Sequence, residues 1–539
     1  MLRTASNIIS TLAQHGWMTL LTSTLSQPEK KPDAIGRGSS IDSQSLHASL
    51  FWFCLQIIRA QSAATAETHS DSDKLQSSAL QLLRQLLLGP GAADLVESGI
   101  DSILVDRLLV ASDDNSSSLV QGALIDALLA SLKVRFAHVY LPPHPPRPKQ
   151  QRPPSRSRER LTSPSILSFT TEKAEKSPST PQFPQPPEHL LDCLLKGIAS
   201  TKSREILDKW IGLLCEVLPL FSHSIFQVLL TLVECLCKEI KAYFGKLQQA
   251  FEQTEDWSMD RSEHVTITLL TGLETSIAHA HERLVREESH TPVAKSPDLP
   301  QGFFGNMVSG VFNSDSSQGR PNTANDRLTV LLCLQDAVRL CFSIWAWGAS
   351  DGAGFALDSE SLASFQYTSL RMRNRTRRIL EHFFDAEALE CLETLVEMWA
   401  KSDIKTASLI FSLLHTLDGS SPKITIPAVF NAIYTRTNPA ALDQHRKSSL
   451  TSSVSESELA SFLVAYARSL DDDVLDEIWT DCTTFLRDVL SNPFPHRQIL
   501  PRLIEFAAIL GTKLENTTFG EDRRMRKELG VGLPFNLCA

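Results

Sequence analysis

Apolar residues recur at steps of three and four along most of this chain, and one backbone geometry buries residues so spaced. In 223–251 the stripe is Ile225, Leu229, Leu232, Leu236, Ile240, Tyr243 and Leu247, which a helix of 3.6 residues per turn gathers onto one face. Residues 376–400 repeat it with Leu389, Leu392, Val396 and Trp399, and 473–490 with Leu475, Ile478, Cys482, Phe485 and Val489. Strand-like alternation with hairpin turns is essentially absent. Start signals agree with the stripes. Ser455 and Glu458 form a capping box ahead of Leu459, while Asp471 to Asp473 supply the acids that a helix N-terminus favours. Pro427 and Pro501 are expected in first turns, where a missing N–H is tolerated.

The pattern predicts about fifteen helices, many of them apolar on more than one side. Helices that need cover on two faces, and follow one another through short polar turns, are what stacked helical pairs require. No strict period is readable. The expected fold is therefore all-α, an α-solenoid of degenerate HEAT- or armadillo-like helical repeats with long disordered loops. An irregular helical bundle is the alternative.

At 539 residues the chain exceeds what a single hydrophobic core usually supports, and its 42% hydrophobic and 21% charged residues are ordinary for a globular protein. A net charge of −10 makes the whole chain a poor match for nucleic acid. Most of the ten cysteines sit among Leu and Val, as Cys193 does beside Leu194 and Leu195. With no CxxC pair and no Cys/His grouping at zinc-finger spacing, reduced core thiols are expected, and no metal or other cofactor. No apolar stretch approaches the roughly 20 residues needed to span a bilayer. Acidic residues are lacking before Glu29, which invites comparison with a mitochondrial presequence. Leu2, Ile8, Ile9, Leu12, Met18, Leu20 and Leu21 read better as a first packed helix and its turn.

Composition divides the chain into an N-terminal helical segment 1–140, a linker 141–187, helical repeats 188–287, a loop 288–325, further repeats 326–530 and a tail 531–539. The linker is dense in Pro, Ser and Arg, with eight basic against three acidic residues. Proline at that density forbids a helix, and too little apolar surface remains to offset the entropy of ordering it.

Several features invite a functional reading, each beside a plainer one. Within the linker, Ser163, Ser177 and Thr180 each precede a proline, as targets of proline-directed kinases do. Its Pro-rich runs fit SH3 grooves and its basic half an anionic lipid surface, though a plain spacer explains both. Arg371, Arg373, Arg375, Arg377 and Arg378 form the densest basic cluster, read as entering a helix. Phosphoinositide binding is one reading of it, and pairing with acids of nearby helices is the other. The loop from Gly302 to Phe312 holds Phe303, Phe304, Met307 and Phe312 among glycines. Such side chains are costly to leave in water, so the segment either docks on a groove of its own solenoid or serves a partner or bilayer. It is no P-loop, since no Gly-Lys-Ser/Thr follows. His279 and His281 stand two apart on a predicted helix and point in different directions, which argues against a shared metal ion. The acids at 471–473 are explained by a helix N-terminus. No nucleophile elbow, Cys/His dyad or dinucleotide fingerprint is present, so nothing points to an enzyme.

Several segments resemble the fungal members of the Dopey family. They are the loop Gly302 to Phe312, the stretch Asn325 to Cys333, Tyr367-Thr368-Ser369-Leu370-Arg371-Met372-Arg373-Asn374, Asp476-Glu477-Ile478-Trp479-Thr480-Asp481-Cys482, and Phe519 to Lys527. The likeness spans roughly 190–528 and is one of order and texture, with no catalytic motif in it. The resemblance implies a peripheral protein on the cytosolic face of trans-Golgi and endosome membranes. It implies a non-catalytic scaffold in endosome-to-Golgi recycling, with effects on polarity and morphogenesis. The partners implied are an Arf-exchange-factor-like protein and a P4-type flippase. That exchange-factor-like family is itself helical-repeat and similar in texture, so membership of it is the alternative. No binding residue is carried over. The family's N-terminal domain is not evident, which suggests an internal or C-terminal portion. The helix begun at Glu521 stops at Gly530, and residues 531–539 read as a truncated or altered end.

Overall fold

A computed structural model describes residues 46–59, 66–89, 92–96, 99–113, 117–137, 185–253, 259–290, 323–349, 359–443 and 446–517. Among them are sixteen α-helices, with short 3₁₀ turns between some of those from Leu190 onward, and no strand. The expected first helix at Leu2–Leu21, most of the 141–187 linker with Ser163, Ser177 and Thr180, most of the 288–325 loop with Phe303, Phe304, Met307 and Phe312, and the 531–539 tail lie outside the described residues.

Two compact units are present. In the first, the helices are α1 (Leu46–Arg59), α2 (Ala66–Leu88), α3 (Ala92–Val96), α4 (Ile100–Asp113), α5 (Ser118–Arg135) and α6 (Leu190–Ala199). Helix α2 packs on α1 and α5, and α4 on α5 and α6. Their apolar faces meet through fully buried leucines such as Leu83, Leu104 and Leu128. Two polar links fix the order. Buried Asp101 on α4 takes Arg135 at the end of α5, and Gln121 donates to the Ala111 carbonyl (2.8 Å) while accepting from Ser203 (3.0 Å). A buried amide with both ends occupied loses little by its desolvation.

The second unit runs through α7 (Leu207–Val217), α8 (Ile225–Gln253), α9 (Met259–His290), α10 (Thr323–Gly348), α11 (Ser359–Lys401), α12 (Ile404–Thr416), α13 (Pro422–Thr437), α14 (Glu456–Ser469), α15 (Leu475–Ser491) and α16 (Leu500–Glu515). Contacts run in layers. Helix α8 packs on α9, both pack on α10, and α10 packs on α11; α11 then meets α13 and α14, which in turn meet α15 and α16. Packing chiefly between near neighbours in sequence is the signature of a solenoid, and the fold is the expected all-α array.

Local signals behave as the residues dictate. Ser455 and Glu458 make the reciprocal capping box, with Glu458 N–H to Ser455 Oγ at 3.2 Å and Ser455 N–H to Glu458 Oε2 at 2.8 Å. Pro501 lies in the first turn of α16. Pro427 does not open α13: the helix starts at Pro422 and encloses Pro427, because Ser421 and Pro422 already provide the first-turn geometry. Helix α11 begins well before the stripe at 376–400 and breaks once, at Glu387 (φ −147°, ψ 68°). The expectation that no segment is apolar enough to span a bilayer is also corrected. Ala324–Gly348 passes by length and composition, but most of it is buried against α8, α9 and α11, as a core helix must be.

Close approach of the end of α10 to α11 depends on Gly348. A Cβ there would lie 2.8 Å from the Ser369 carbonyl oxygen and 2.5 Å from Arg373 Cγ. Backbone cannot step aside cheaply, so Gly348→Ala is expected to destabilise the second unit by about 1–3 kcal/mol in urea unfolding. Nine described cysteines are free and seven of them buried. Burial pushes the Cys54, Cys193 and Cys333 thiols up to about 12, and it holds those of Cys341, Cys391 and Cys482 well above the usual thiol range.

Candidate functional site

The predicted basic cluster lies in the middle of α11, not at a helix entrance, because the helix already starts at Ser359. Successive turns of α11 bring its arginines against the acids of α9. Arg371 lies 2.8 Å from Glu263, which also accepts from Thr368 (3.1 Å). Arg375 reaches Glu274 at 2.6 Å and Thr271 at 3.1 Å. The Arg373 guanidinium stands 5.2 Å from the centroid of the Trp345 ring on α10, within cation–π range. Arg377 pairs with Glu381 one turn on, at 2.8 Å. Arg378 is exposed and has no ion pair among the described residues. On the same outer stripe lie Tyr367 and Leu370, both exposed, with Arg371 over the Tyr367 ring.

Beyond the arginines, the ladder becomes a groove. Ile277, Ala278 and Val285 of α9, Val330 and Leu334 of α10, and Phe383 and Ala386 of α11 line a mostly apolar cleft of about 570 Å³. Three histidines edge it. His382 Nδ1 is 3.2 Å from Glu274, and His281 Nε2 is 3.3 Å from Glu387, the residue at the break in α11, which Arg327 also holds at 2.9 Å. His279 Nε2 is buried without a hydrogen-bond partner among the described residues, and burial lowers its affinity for a proton. His279 and His281 both border the cleft, yet no His/Cys/Asp/Glu group suited to a metal ion exists among the described residues.

Past the break, α11 presents a second set of acids that sequence reasoning missed. Glu390, Glu393 and Glu397 follow at helical spacing and accept, in order, from the hydroxyls of Thr451, Ser452 and Ser453. Glu393 also takes both guanidinium nitrogens of Arg436 on α13, at 3.0 and 2.8 Å. The polar run Thr451–Ser453 is thereby laid along a buried acidic ridge. Its own signal in the sequence is slight, since Leu-Thr-Ser-Ser resembles any loop.

Two glutamates on this ridge answer pH in opposite directions. Burial raises the Glu397 carboxyl, but hydrogen bonds from Lys401, Ser453 and Arg339 outweigh that and bring it down to about 2. A carboxylate lowered in the folded state contributes stability that is whole above its unfolded value near 4.5 and lost as pH falls towards 2. Glu390 is raised by burial, with Glu393 and Glu387 adding to the effect, against hydrogen bonds from Thr451 and Gln335. Its ionisation therefore opposes folding at neutral pH, and acid relieves it. Glu397→Gln should lower stability at pH 7 by about 2 kcal/mol after discounting for solvent screening, and should flatten the loss of melting temperature between pH 4.5 and 2. Glu390→Gln should raise the melting temperature at pH 7. Calorimetric pH series on both variants check the signs.

Comparison with known proteins bears on residues well beyond these sites. The family model described as DOP1 C-terminal matches residues 462–531. The chain is 63% identical over 527 residues to "Protein dop1" of Emericella nidulans, a match covering 98% of this chain and 28% of that protein. It is 28% identical over 356 residues to "Protein DOP1" of Saccharomyces cerevisiae, covering 63% of this chain and 20% of that one. The chain thus spans between a fifth and a third of the length of these curated relatives. A solved circular tandem repeat protein overlaps 90% of this chain and 95% of its own, at 11% identity and a TM-score of 0.28, too low to bear on the fold.

Proposed function

We propose, from the premise that this chain belongs to the Dopey family, that it is part of a non-catalytic scaffold in membrane trafficking between endosomes and the trans-Golgi. In this reading it works as a peripheral protein on the cytosolic face and binds an Arf-exchange-factor-like protein and a P4-type flippase. The observation that carries the reading is 63% identity to Protein dop1 along nearly the whole chain. Layered helical pairs suit it physically, since they present long surfaces on rigid elements and can engage several partners at once. Affinity purification of the tagged chain from fungal cells tests it. Recovery of both a flippase and an exchange-factor-like protein is expected; recovery of neither would remove the proposal.

A second reading, direct contact with anionic lipid, is favoured by the outer stripe of α11. Tyr367, Leu370 and Arg378 combine an interfacial aromatic, an exposed aliphatic and a cation without an internal pair. Arg371, Arg373, Arg375 and Arg377 are engaged within the fold, so Arg378 is the better test residue. Under this reading, flotation with phosphoinositide vesicles falls in Leu370→Ser with Arg378→Glu, and unchanged flotation excludes the stripe.

A further inference from the structure

The α9–α10–α11 cleft is mostly apolar and open, and the stretch of chain between α9 and α10 carries Phe303, Phe304, Met307 and Phe312. Helix α9 ends at His290 and α10 begins at Thr323, so the intervening residues 291–322 leave and re-enter the fold beside the cleft. Val285 lies five residues before the first of these ends and Val330 seven residues after the second, and both line the cleft.

Reach is ample. The far lining residue, Thr275, stands fifteen residues from the end of α9, about 22 Å at 1.5 Å per residue. Twelve residues precede Phe303 after His290, and ten follow Phe312 before Thr323. Such tethers extend to roughly 40 and 33 Å at about 3.3 Å per residue, so both ends can be satisfied at once. Chemistry matches as well. Phe303, Phe304, Met307 and Phe312 are four large apolar side chains within ten residues, and a cleft of about 570 Å³ is sized for several such groups. The intervening glycines allow the backbone to come close.

We propose that the segment Gly302–Phe312 occupies the α9–α10–α11 groove of its own chain. Tethering makes the association intramolecular, so its effective concentration exceeds that of any free competitor of equal chemistry.

Chymotrypsin, which cuts after phenylalanine, reads the occupancy on the full chain. Ala278→Trp and Ala386→Trp each fill the groove from one wall. Cleavage within 303–312 is expected to run about tenfold faster in either variant than in the native chain, as the freed population rises. Circular dichroism establishes that each variant is folded, and either one alone decides the outcome. Independently, replacing Phe303, Phe304, Met307 and Phe312 by serine leaves every groove residue intact. That variant should speed amide hydrogen exchange over 277–285. Equal cleavage in the native chain and a folded groove variant, together with unchanged exchange in the loop variant, overturns the proposal. So does flotation of the native chain with phosphatidylserine vesicles that the loop variant loses and the groove variants keep, for the segment would then be a membrane anchor.

Discussion

Replacing Glu393 with alanine is expected to cost about 3–5 kcal/mol in urea unfolding of the full chain. Glu393 is 1% exposed and its partner Arg436 9%. Both oxygens are in use, one by Arg436 Nη1 and the other by Arg436 Nη2 and Ser452. Truncation leaves a buried guanidinium with no counter-charge, and that penalty dominates over the loss of the pair itself. The double variant Glu393→Leu with Arg436→Met removes both charges and should regain more than half of the loss. Arg436 also donates to the Val454 carbonyl at 2.8 Å, so recovery will stop short of complete. A double variant no better than Glu393→Ala would show that packing, not stranded charge, sets the cost.

Phe430→Ala should be comparably damaging, at about 3–5 kcal/mol, for a different reason. Its ring lies 3.9 Å from that of Phe485, nearly parallel at 6°, and meets Phe506 edge-on at 6.2 Å. One side chain on α13 thus ties α15 and α16 into the same core. Truncation opens a cavity bounded by three helices, and a site fixed from three sides collapses poorly. Phe430→Leu keeps most of the volume and should lose less than half as much. Both are measured by thermal or urea unfolding, with the Glu393 variants as the contrast: a cavity responds to side-chain size and a stranded charge does not.

What could be read before the fold was known divides by distance along the chain. Stripes such as Leu475–Val489, and the Ser455–Glu458 box, depend on neighbours within a turn or two, and they match the folded helices. Pro427 misleads because Ser421 and Pro422 already open the helix five residues before it. The arginine cluster was visible as charge, but its meaning was not, since Arg375 finds Glu274 101 residues away. Glu390, Glu393 and Glu397 carry no local sign of burial; their partners arrive from Thr451–Ser453, about sixty residues on in the sequence and brought alongside α11 only by the array. Periodicity reports which face of a helix is covered. Which acid meets which base is decided by the stacking of layers, and no spacing rule encodes it.

The buried thiols have a use outside stability. Cys237 on α8, Cys333 and Cys341 on α10, Cys391 on α11 and Cys482 on α15 sample successive layers of the second unit, and each is held protonated by its burial. Alkylating reagents attack the thiolate, so none of these positions reacts while its layer is closed. Reaction then begins only when a layer opens, and its rate measures that opening. The chain carries its own set of chemical clocks, spread from α8 to α15. Reading them by mass spectrometry under mild denaturant would give the order in which the array comes apart.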